Sequence, residues 1–130
     1  MLIQRIKDLI FFPVRAVLPN KWSEYVGLTS LRQERIAAVK QYVKGFVLDV
    51  GCGNNQLVKE CKNGVGVDVY PWEGIDLLCD TTRLPFKEKS FDCCTFLANL
   101  NHIPKQKRIF VLKEAKRVLK DNGLVVITMI

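Results

Sequence analysis

The segment 47–55, VLDVGCGNN, constrains the fold of this chain more than any other. It starts with apolar and β-branched residues, includes an aspartate, and ends in GCGNN. An apolar run that passes into glycines is typical of a buried strand entering a tight turn. Gly51 and Gly53 let the backbone approach another group closely, because no Cβ lies in the way. The segment therefore predicts a strand–turn–helix corner that holds a ligand.

The rest of the chain repeats an alternation of apolar segments with helical or loop connections. Strands are predicted at about 46–50, 65–69, 75–79, 91–97 and 124–130. Such alternation indicates an α/β fold with a doubly wound, mostly parallel sheet of about five strands. A ligand of such a sheet lies beyond the carboxyl ends of the strands, near the first one.

Helical periodicity places helices between these strands. A helix is predicted from Ser30, which forms a capping box with Gln33, through about residue 43, and Gly45 closes it. The first crossover ends at the pair 63–64, Asn-Gly. Its predicted buried face comprises Leu57, Val58 and Cys61.

The last crossover is predicted to be a helix from residue 104 to 120, followed by an Asp-Asn-Gly turn at 121–123. Its predicted buried stripe comprises Ile109, Leu112, Ala115 and Leu119.

Residues 1–45 are predicted to form an N-terminal helical extension, and residues 46–130 the ligand-binding domain. The extension carries eight Lys and Arg against three Asp and Glu, spread among apolar residues, so nucleic acid is not favoured as a partner. Its amphipathic helix, residues 1–12, has three candidate roles: a lid over the ligand-binding site, a peripheral membrane contact through residues 1–22, or packing on the sheet. No apolar run is long enough for a membrane span, which predicts a cytoplasmic protein.

The five cysteines make no C-x-x-C pair and there is a single histidine. We therefore expect buried, reduced thiols and no metal site.

Three acidic residues end successive predicted strands: Asp49, Asp68 and Asp80. A dinucleotide fingerprint needs a third glycine at position 56, where the chain has Gln56, and no G-K-[ST] follows for a P-loop. What remains suits a nucleoside ligand with a positive centre and an amino acid moiety. Asp68 can accept hydrogen bonds from both ribose hydroxyls.

At these residues the chain resembles the class I S-adenosylmethionine-dependent methyltransferases, and more narrowly the type 11 branch. The matching segments are VLDVGCGNN, VGVDVY, CDTTRLPFKEKSFDCCTFLANLNHI and EAKRVLKDNGLVVITMI. The resemblance covers about residues 46–130 and implies a Rossmann-like fold with S-adenosylmethionine (SAM) as cofactor.

The resemblance also implies roles for individual residues. Asp49, Gly51 and Gly53 would hold the methionine end of the cofactor, and Asp68 the ribose. Asp80 and Thr81 would hold the adenine, and the backbone near Leu97 the sulfonium side. Cys52 and Val69 complete the predicted cofactor site, and His102 is a candidate general base.

The implied activity is methyl transfer to a small-molecule or lipid-like acceptor. One alternative is a non-catalytic cofactor-binding remnant or partner subunit, and a third is an NAD-binding dehydrogenase. The chain departs from the family at Asn55, which replaces a common glycine, although Asn tolerates left-handed geometry.

A second departure is the number of strands, because the family has seven and this chain is expected to have five. Residues 124–130 are apolar except for Thr128, and this predicts a strand buried on both faces. With no later strand to pair its outer edge, we expect either a piece of a longer protein or a homodimer joined along this edge.

Overall fold

A computed structural model describes residues 30–129 of the chain. The predicted N-terminal helix of residues 1–12, and the lid or membrane role of residues 1–22, lie outside the described residues, as does Ile130. A boundary between two units of the chain falls after residue 37. The predicted domain boundary after residue 45 remains a prediction.

Within residues 30–129, five parallel strands form one sheet in the order β3-β2-β1-β4-β5. This confirms the predicted doubly wound α/β fold. The elements are α1 Leu31–Lys40, β1 Val47–Val50, α2 Gln56–Cys61, β2 Gly64–Asp68, β3 Leu77–Leu78, β4 Phe91–Leu97, a 3-10 helix Leu100–His102, α3 Lys105–Val118 and β5 Leu119–Thr128.

Helix α1 begins at the predicted capping box. The Ser30 hydroxyl accepts a hydrogen bond from the Gln33 N–H at 3.1 Å, and the Gln33 side chain accepts one from the Ser30 N–H at 2.9 Å. The helix ends at Lys40 rather than near residue 43. Gly45 does not close it, and instead turns the chain into β1 with a φ of 70°.

The core forms where the central strands meet α3. All four residues of β1 are buried, and the Phe91 ring stacks on Phe46 with centroids 5.0 Å apart and meets Phe86 edge-on at 5.1 Å. The loop that carries Leu84 and Phe86 thus packs against the sheet, while Pro85 stays exposed.

Helix α2 ends differently from the prediction. Leu57 and Val58 are buried as expected. The left-handed residue that ends the helix is Lys62, at φ 57°, and its N–H donates to the Val58 carbonyl at 2.8 Å. Gly64 is the first residue of β2, so the Asn-Gly pair is not the stop.

Helix α3 buries a face that is rotated from the predicted stripe. Val111, Ala115 and Val118 are buried, whereas Ile109 is 52% exposed, so its predicted burial was wrong. The spacing of the apolar residues is compatible with two different buried faces of the helix. Packing on the sheet buries the face that includes Val111 and Val118.

Strand β5 includes the segment predicted as a turn. Phe91 pairs with Leu119 and Cys93 with Leu124, so residues 120–123 form an irregularity inside the strand. Among residues 30–129, β5 pairs only with β4 and is the edge of the sheet. Leu124, Val125 and Ile127 are 39–45% exposed, so the expected burial on both faces was wrong.

Candidate functional site

The loop after β1 has the conformation that its glycines and asparagine predict. Gly51, Gly53 and Asn55 have φ values of 73°, 54° and 61°. The N–H groups of Gly51 and Cys52 both donate to the Val67 carbonyl, at 2.8 and 3.1 Å, which ties the loop to β2. Cys52 is buried in this turn. The left-handed Asn55 confirms that asparagine can replace the glycine there.

Asn55 also anchors the loop through its side chain. Its Nδ2 donates to the Gly74 carbonyl at 3.1 Å and to Asp76 Oδ2 at 2.8 Å, and the same Asp76 oxygen accepts from the Gly66 N–H at 2.7 Å. A Cβ at Gly66 would collide with the Asn55 amide. Gly66 and Asp76 therefore fix the loop against β2, a role that the sequence analysis missed.

The Asp68 carboxylate lies at the carboxyl end of β2 and is only 6% exposed. One oxygen accepts a hydrogen bond from the Gly53 N–H at 2.9 Å, and the other from the Tyr70 N–H at 3.0 Å. A carboxylate has about four lone-pair sites, so both oxygens retain capacity for a ligand. The neighbouring Val69 is 50% exposed and provides an apolar surface beside it.

Asp49 lies deeper than the other two acidic residues, at 1% exposure. Its Oδ1 accepts a hydrogen bond from the Thr95 hydroxyl at 2.7 Å, across the β1–β4 pairing. Burial of a carboxylate requires such partners. Thr95 was not predicted, although it is the polar residue within the otherwise apolar CCTFL of β4.

Asp80 follows β3 and is exposed, with its Oδ1 accepting from the Thr82 N–H at 2.9 Å and the Thr82 hydroxyl at 2.7 Å. These hydrogen bonds hold the pKa of Asp80 below its usual range. Asp80 therefore forms a local turn, and its Oδ2 accepts no hydrogen bond from residues 30–129. Thr81, the next residue, is buried.

A pair of charged side chains on α3 fixes the loop that carries Asp80. Glu114 accepts from the Leu84 N–H at 2.8 Å and from Arg117 at 2.7 Å. Arg117 donates to the carbonyls of Leu84 and Phe86, at 2.9 and 2.8 Å. The hydrogen bond from Arg117 lowers the pKa of Glu114, and that from Glu114 raises the pKa of Arg117.

The turn that leaves β4, residues 97–99, is held from two sides. Ala98 has a left-handed φ of 51°, which costs about 1–2 kcal/mol for a residue with a Cβ. Its N–H donates to both the carbonyl and the hydroxyl of Thr128, each at 3.0 Å. Asn99 Nδ2 donates to the Val50 carbonyl at 3.0 Å. Leu97, predicted from the sequence, lies at the start of this turn.

His102 ends the 3-10 helix and is exposed. Arg108 holds this segment to α3 by donating to the carbonyls of Ile103 and Asn101, at 2.8 and 3.2 Å. No hydrogen bond joins the His102 side chain to residues 30–129, so its predicted role as a base remains a prediction.

The cysteines are packing residues in this architecture. All five are free thiols; Cys52, Cys93 and Cys94 are buried and Cys61 and Cys79 are half-buried. Burial raises the pKa of Cys93 to about 11 and also raises that of Cys94. In the described part of the chain, no group of three acidic, histidine or cysteine side chains is placed to hold a metal ion.

A crevice of about 650 Å³ lies at the other end of the sheet. Gly45, Asp92 and Lys120 line it, near the amino ends of β1, β4 and β5. Both carboxylate oxygens of Asp92 already accept hydrogen bonds there, one from the Phe46 N–H and one from Lys120, each at 2.8 Å. The first of these hydrogen bonds gives Asp92 a structural role at the start of β1. The candidate site remains at the carboxyl edge.

The carboxyl edge fits a nucleoside with an amino acid tail. It combines a left-handed glycine loop, a buried carboxylate with free acceptor capacity at Asp68, the exposed Val69 beside it and the acidic Asp80 at the next strand. Fold and site together define a nucleoside-binding Rossmann-like domain.

Comparison with known proteins identifies the family. A family model described as a methyltransferase domain matches residues 48–127. The chain therefore belongs to the methyltransferase-domain family, in agreement with its resemblance to class I methyltransferases. Family and fold together imply SAM as the cofactor, which argues against the NAD-binding alternative.

Among the individual relatives, two have names that agree with this assignment. The structure of a SAM-dependent methyltransferase, "possible histamine N-methyltransferase", from Thermotoga maritima is 28% identical, with a TM-score of 0.61 over 73% of this chain and 50% of its own. "Probable tRNA methyltransferase 9B" from Mus musculus is 28% identical over 88% of this chain and 28% of its own. An uncharacterised protein from Methanocaldococcus jannaschii is 37% identical over 65% of this chain and 36% of its own. The chain thus spans about a third of these two curated relatives.

Proposed function

We propose that this chain binds SAM at the carboxyl edge of its sheet and supports methyl transfer to an O, N or C nucleophile of a small-molecule or lipid-like acceptor. The observation that carries the proposal is the Asp68 carboxylate. Two backbone N–H groups, from Gly53 and Tyr70, orient it, and it keeps acceptor capacity for the ribose hydroxyls.

The other parts of the edge have complementary roles in this proposal. The exposed Val69 contacts the adenine, and Asp80 with Thr81 borders it. The loop of Gly51, Cys52 and Gly53 and the turn at Leu97 enclose the methionine end. Asp49 borders the methionine end with them, and its hydrogen bond from Thr95 fixes it at the end of β1.

When bound, SAM would supply an activated methyl group, which would leave the S–CH₃ electron pair on sulfur and bond to an electron pair of the acceptor. The protein then contributes mainly by positioning the acceptor in line with the methyl group. A base is needed only for a protonated acceptor, and we propose His102 for that case.

Titration calorimetry tests cofactor binding directly. We expect SAM and its demethylated product, S-adenosylhomocysteine, to bind with dissociation constants in the micromolar range, at about −7 to −8 kcal/mol. NAD serves as the control and should give no heat. A folded protein that binds neither SAM nor S-adenosylhomocysteine would contradict the proposal.

The acceptor class is open to a separate test. The Thermotoga maritima neighbour supports a small amine-like acceptor, whereas the Mus musculus relative supports tRNA as a second candidate. Transfer of a labelled methyl group should be measured in parallel with small amines, a lipid extract and bulk tRNA. Label in tRNA alone would replace the small-molecule proposal, and binding without any transfer would favour the non-catalytic alternative.

We also propose that the protein is cytoplasmic. No helix within residues 30–129 has the length and apolar character to cross a membrane. Five free thiols support a reducing compartment, and hence the cytoplasm.

A further inference from the structure

The first glycine of the loop is shaped by a neighbour within the protein. A Cβ at Gly51 would overlap the side-chain amide of Asn99. That amide lies over the Gly51 turn because its Nδ2 donates to the Val50 carbonyl at 3.0 Å. Gly51 therefore leaves room for Asn99, in addition to any ligand it accommodates.

Asn99 in turn belongs to the turn that leaves β4, residues 97–99. Ala98 keeps a left-handed φ of 51° there, fixed from the other side by Thr128 of β5. A strained residue persists only where its surroundings determine it strongly. The ends of three neighbouring strands, β1, β4 and β5, are thereby joined at one place through Val50, Asn99 and Thr128.

We propose that Asn99 is a positioning residue that locks the glycine loop to the β4 exit turn, so that both hold the methionine end of the cofactor as one unit. The proposal rests on the proposed function, since the two segments are those assigned to that end of SAM. The Asn99 amide acts through the backbone of Val50 and Gly51. Without it the two segments would move independently, and ligand binding would have to order them.

A double-mutant cycle of Gly51→Ala and Asn99→Ala tests the proposal. Gly51→Ala alone should cause a large loss of S-adenosylhomocysteine affinity and a lower Tm, because the methyl group collides with the amide at a positive φ. Asn99→Ala alone should weaken binding about fivefold to tenfold through the lost hydrogen bond. In the double variant the alanine methyl occupies the space that the amide vacates, so it should bind more tightly than Gly51→Ala alone.

The quantity to measure is the coupling between the two substitutions, which is the difference between the effect of the double variant and the sum of the two single effects. Independent residues give additive effects and therefore no coupling. Affinity is measured by calorimetry well below either Tm, so that unfolding does not contribute. Additive losses in both Tm and affinity would overturn the proposal. Coupling in Tm with none in affinity would overturn the positioning role, because the contact would then be structural only.

Asn101→Ala is the matched control. Asn101 is an exposed asparagine two positions further on, and its side chain makes no hydrogen bond to residues 30–129. The Asn101→Ala variant should leave Tm and the affinity for S-adenosylhomocysteine unchanged. A loss of affinity as large as that of Asn99→Ala would contradict the proposal. If wild type binds no S-adenosylhomocysteine, the proposed function fails, whereas coupling in Tm would still support the lock between Asn99 and Gly51.

Discussion

Asp68 illustrates how one side chain can shape a site and also be the predicted contact of its ligand. The same carboxylate that accepts the Gly53 and Tyr70 N–H groups is the predicted ribose acceptor. Its removal would leave two backbone donors unpaired and two ligand hydroxyls without an acceptor. Both consequences arise because Asp68 ends β2 directly opposite the glycine loop.

Asp68→Ala should weaken S-adenosylhomocysteine binding by about 1.5–3 kcal/mol, since a charged acceptor is lost. Asp68→Asn keeps the shape and one acceptor oxygen, so its loss should be smaller. His102→Ala should leave cofactor affinity nearly unchanged. Calorimetry on the three folded variants makes the comparison, and an unaltered affinity for Asp68→Ala would show that the carboxylate only orders the loop.

Cys93 gives a prediction about alkaline pH. Burial raises its pKa from 9.0 to about 11, so the folded state holds the thiol proton more tightly than the unfolded state. The associated stability is present below pH 9 and is lost as pH rises through about 11. Urea unfolding of wild type and Cys93→Ala should therefore show a difference in unfolding free energy that shrinks above pH 9; a constant difference would contradict this.

At the scale of elements, α3 does more than cover the sheet. Its Glu114 and Arg117 side chains bind the backbone of the loop that carries Asp80 and Thr81. The loop has no long strand of its own, because β3 contains only Leu77 and Leu78. The helix therefore sets where this part of the candidate site lies.

Glu114→Gln should lower the unfolding free energy by about 1–3 kcal/mol at neutral pH, because Arg117 and the Leu84 N–H lose a charged acceptor. The folded-state pKa of Glu114 is lowered, so its contribution is present above the usual glutamate pKa of about 4.3 and is lost as pH falls through the folded-state value. Urea unfolding at neutral and acidic pH should show the difference vanish in acid. Lys113→Gln, at an exposed position, is the control.

At the scale of the whole molecule, the two edges of the sheet differ. The β3 edge is two residues long, whereas β5 runs from Leu119 to Thr128 and presents exposed apolar side chains. A long apolar edge favours pairing with another strand. We retain the proposal that copies of this chain associate along β5.

Sedimentation at increasing concentration should show self-association, and Ile127→Lys should reduce it, because Ile127 is 44% exposed on β5. Val126→Lys is a weaker test because Val126 is partly buried. Leu78→Lys on the other edge, at a residue 53% exposed, should change nothing. A wild-type monomer at high concentration, with the amides of 124–129 protected from exchange, would contradict this account.

The sequence by itself determined the order of strands and helices, the glycine loop and the position of Asp68 at the end of β2. These features depend on local properties: β-branched runs form strands, glycine and Asn55 adopt left-handed backbone, and Ser30 with Gln33 caps a helix. The sequence prediction failed where local chemistry is compatible with two structures. For α3, two helix faces are apolar enough to be buried, and the predicted one contains Ile109, which is exposed.

Only the tertiary structure decided which distant groups meet. Thr95 reaches Asp49 because of the register of β1 with β4, Asn99 covers Gly51 because a left-handed turn follows β4, and Arg117 reaches Leu84 across 33 positions. No local propensity encodes such pairs, since each depends on strand order and on how loops return over the sheet. The ligand class was therefore readable from the sequence, whereas the contacts that hold the site together followed from packing.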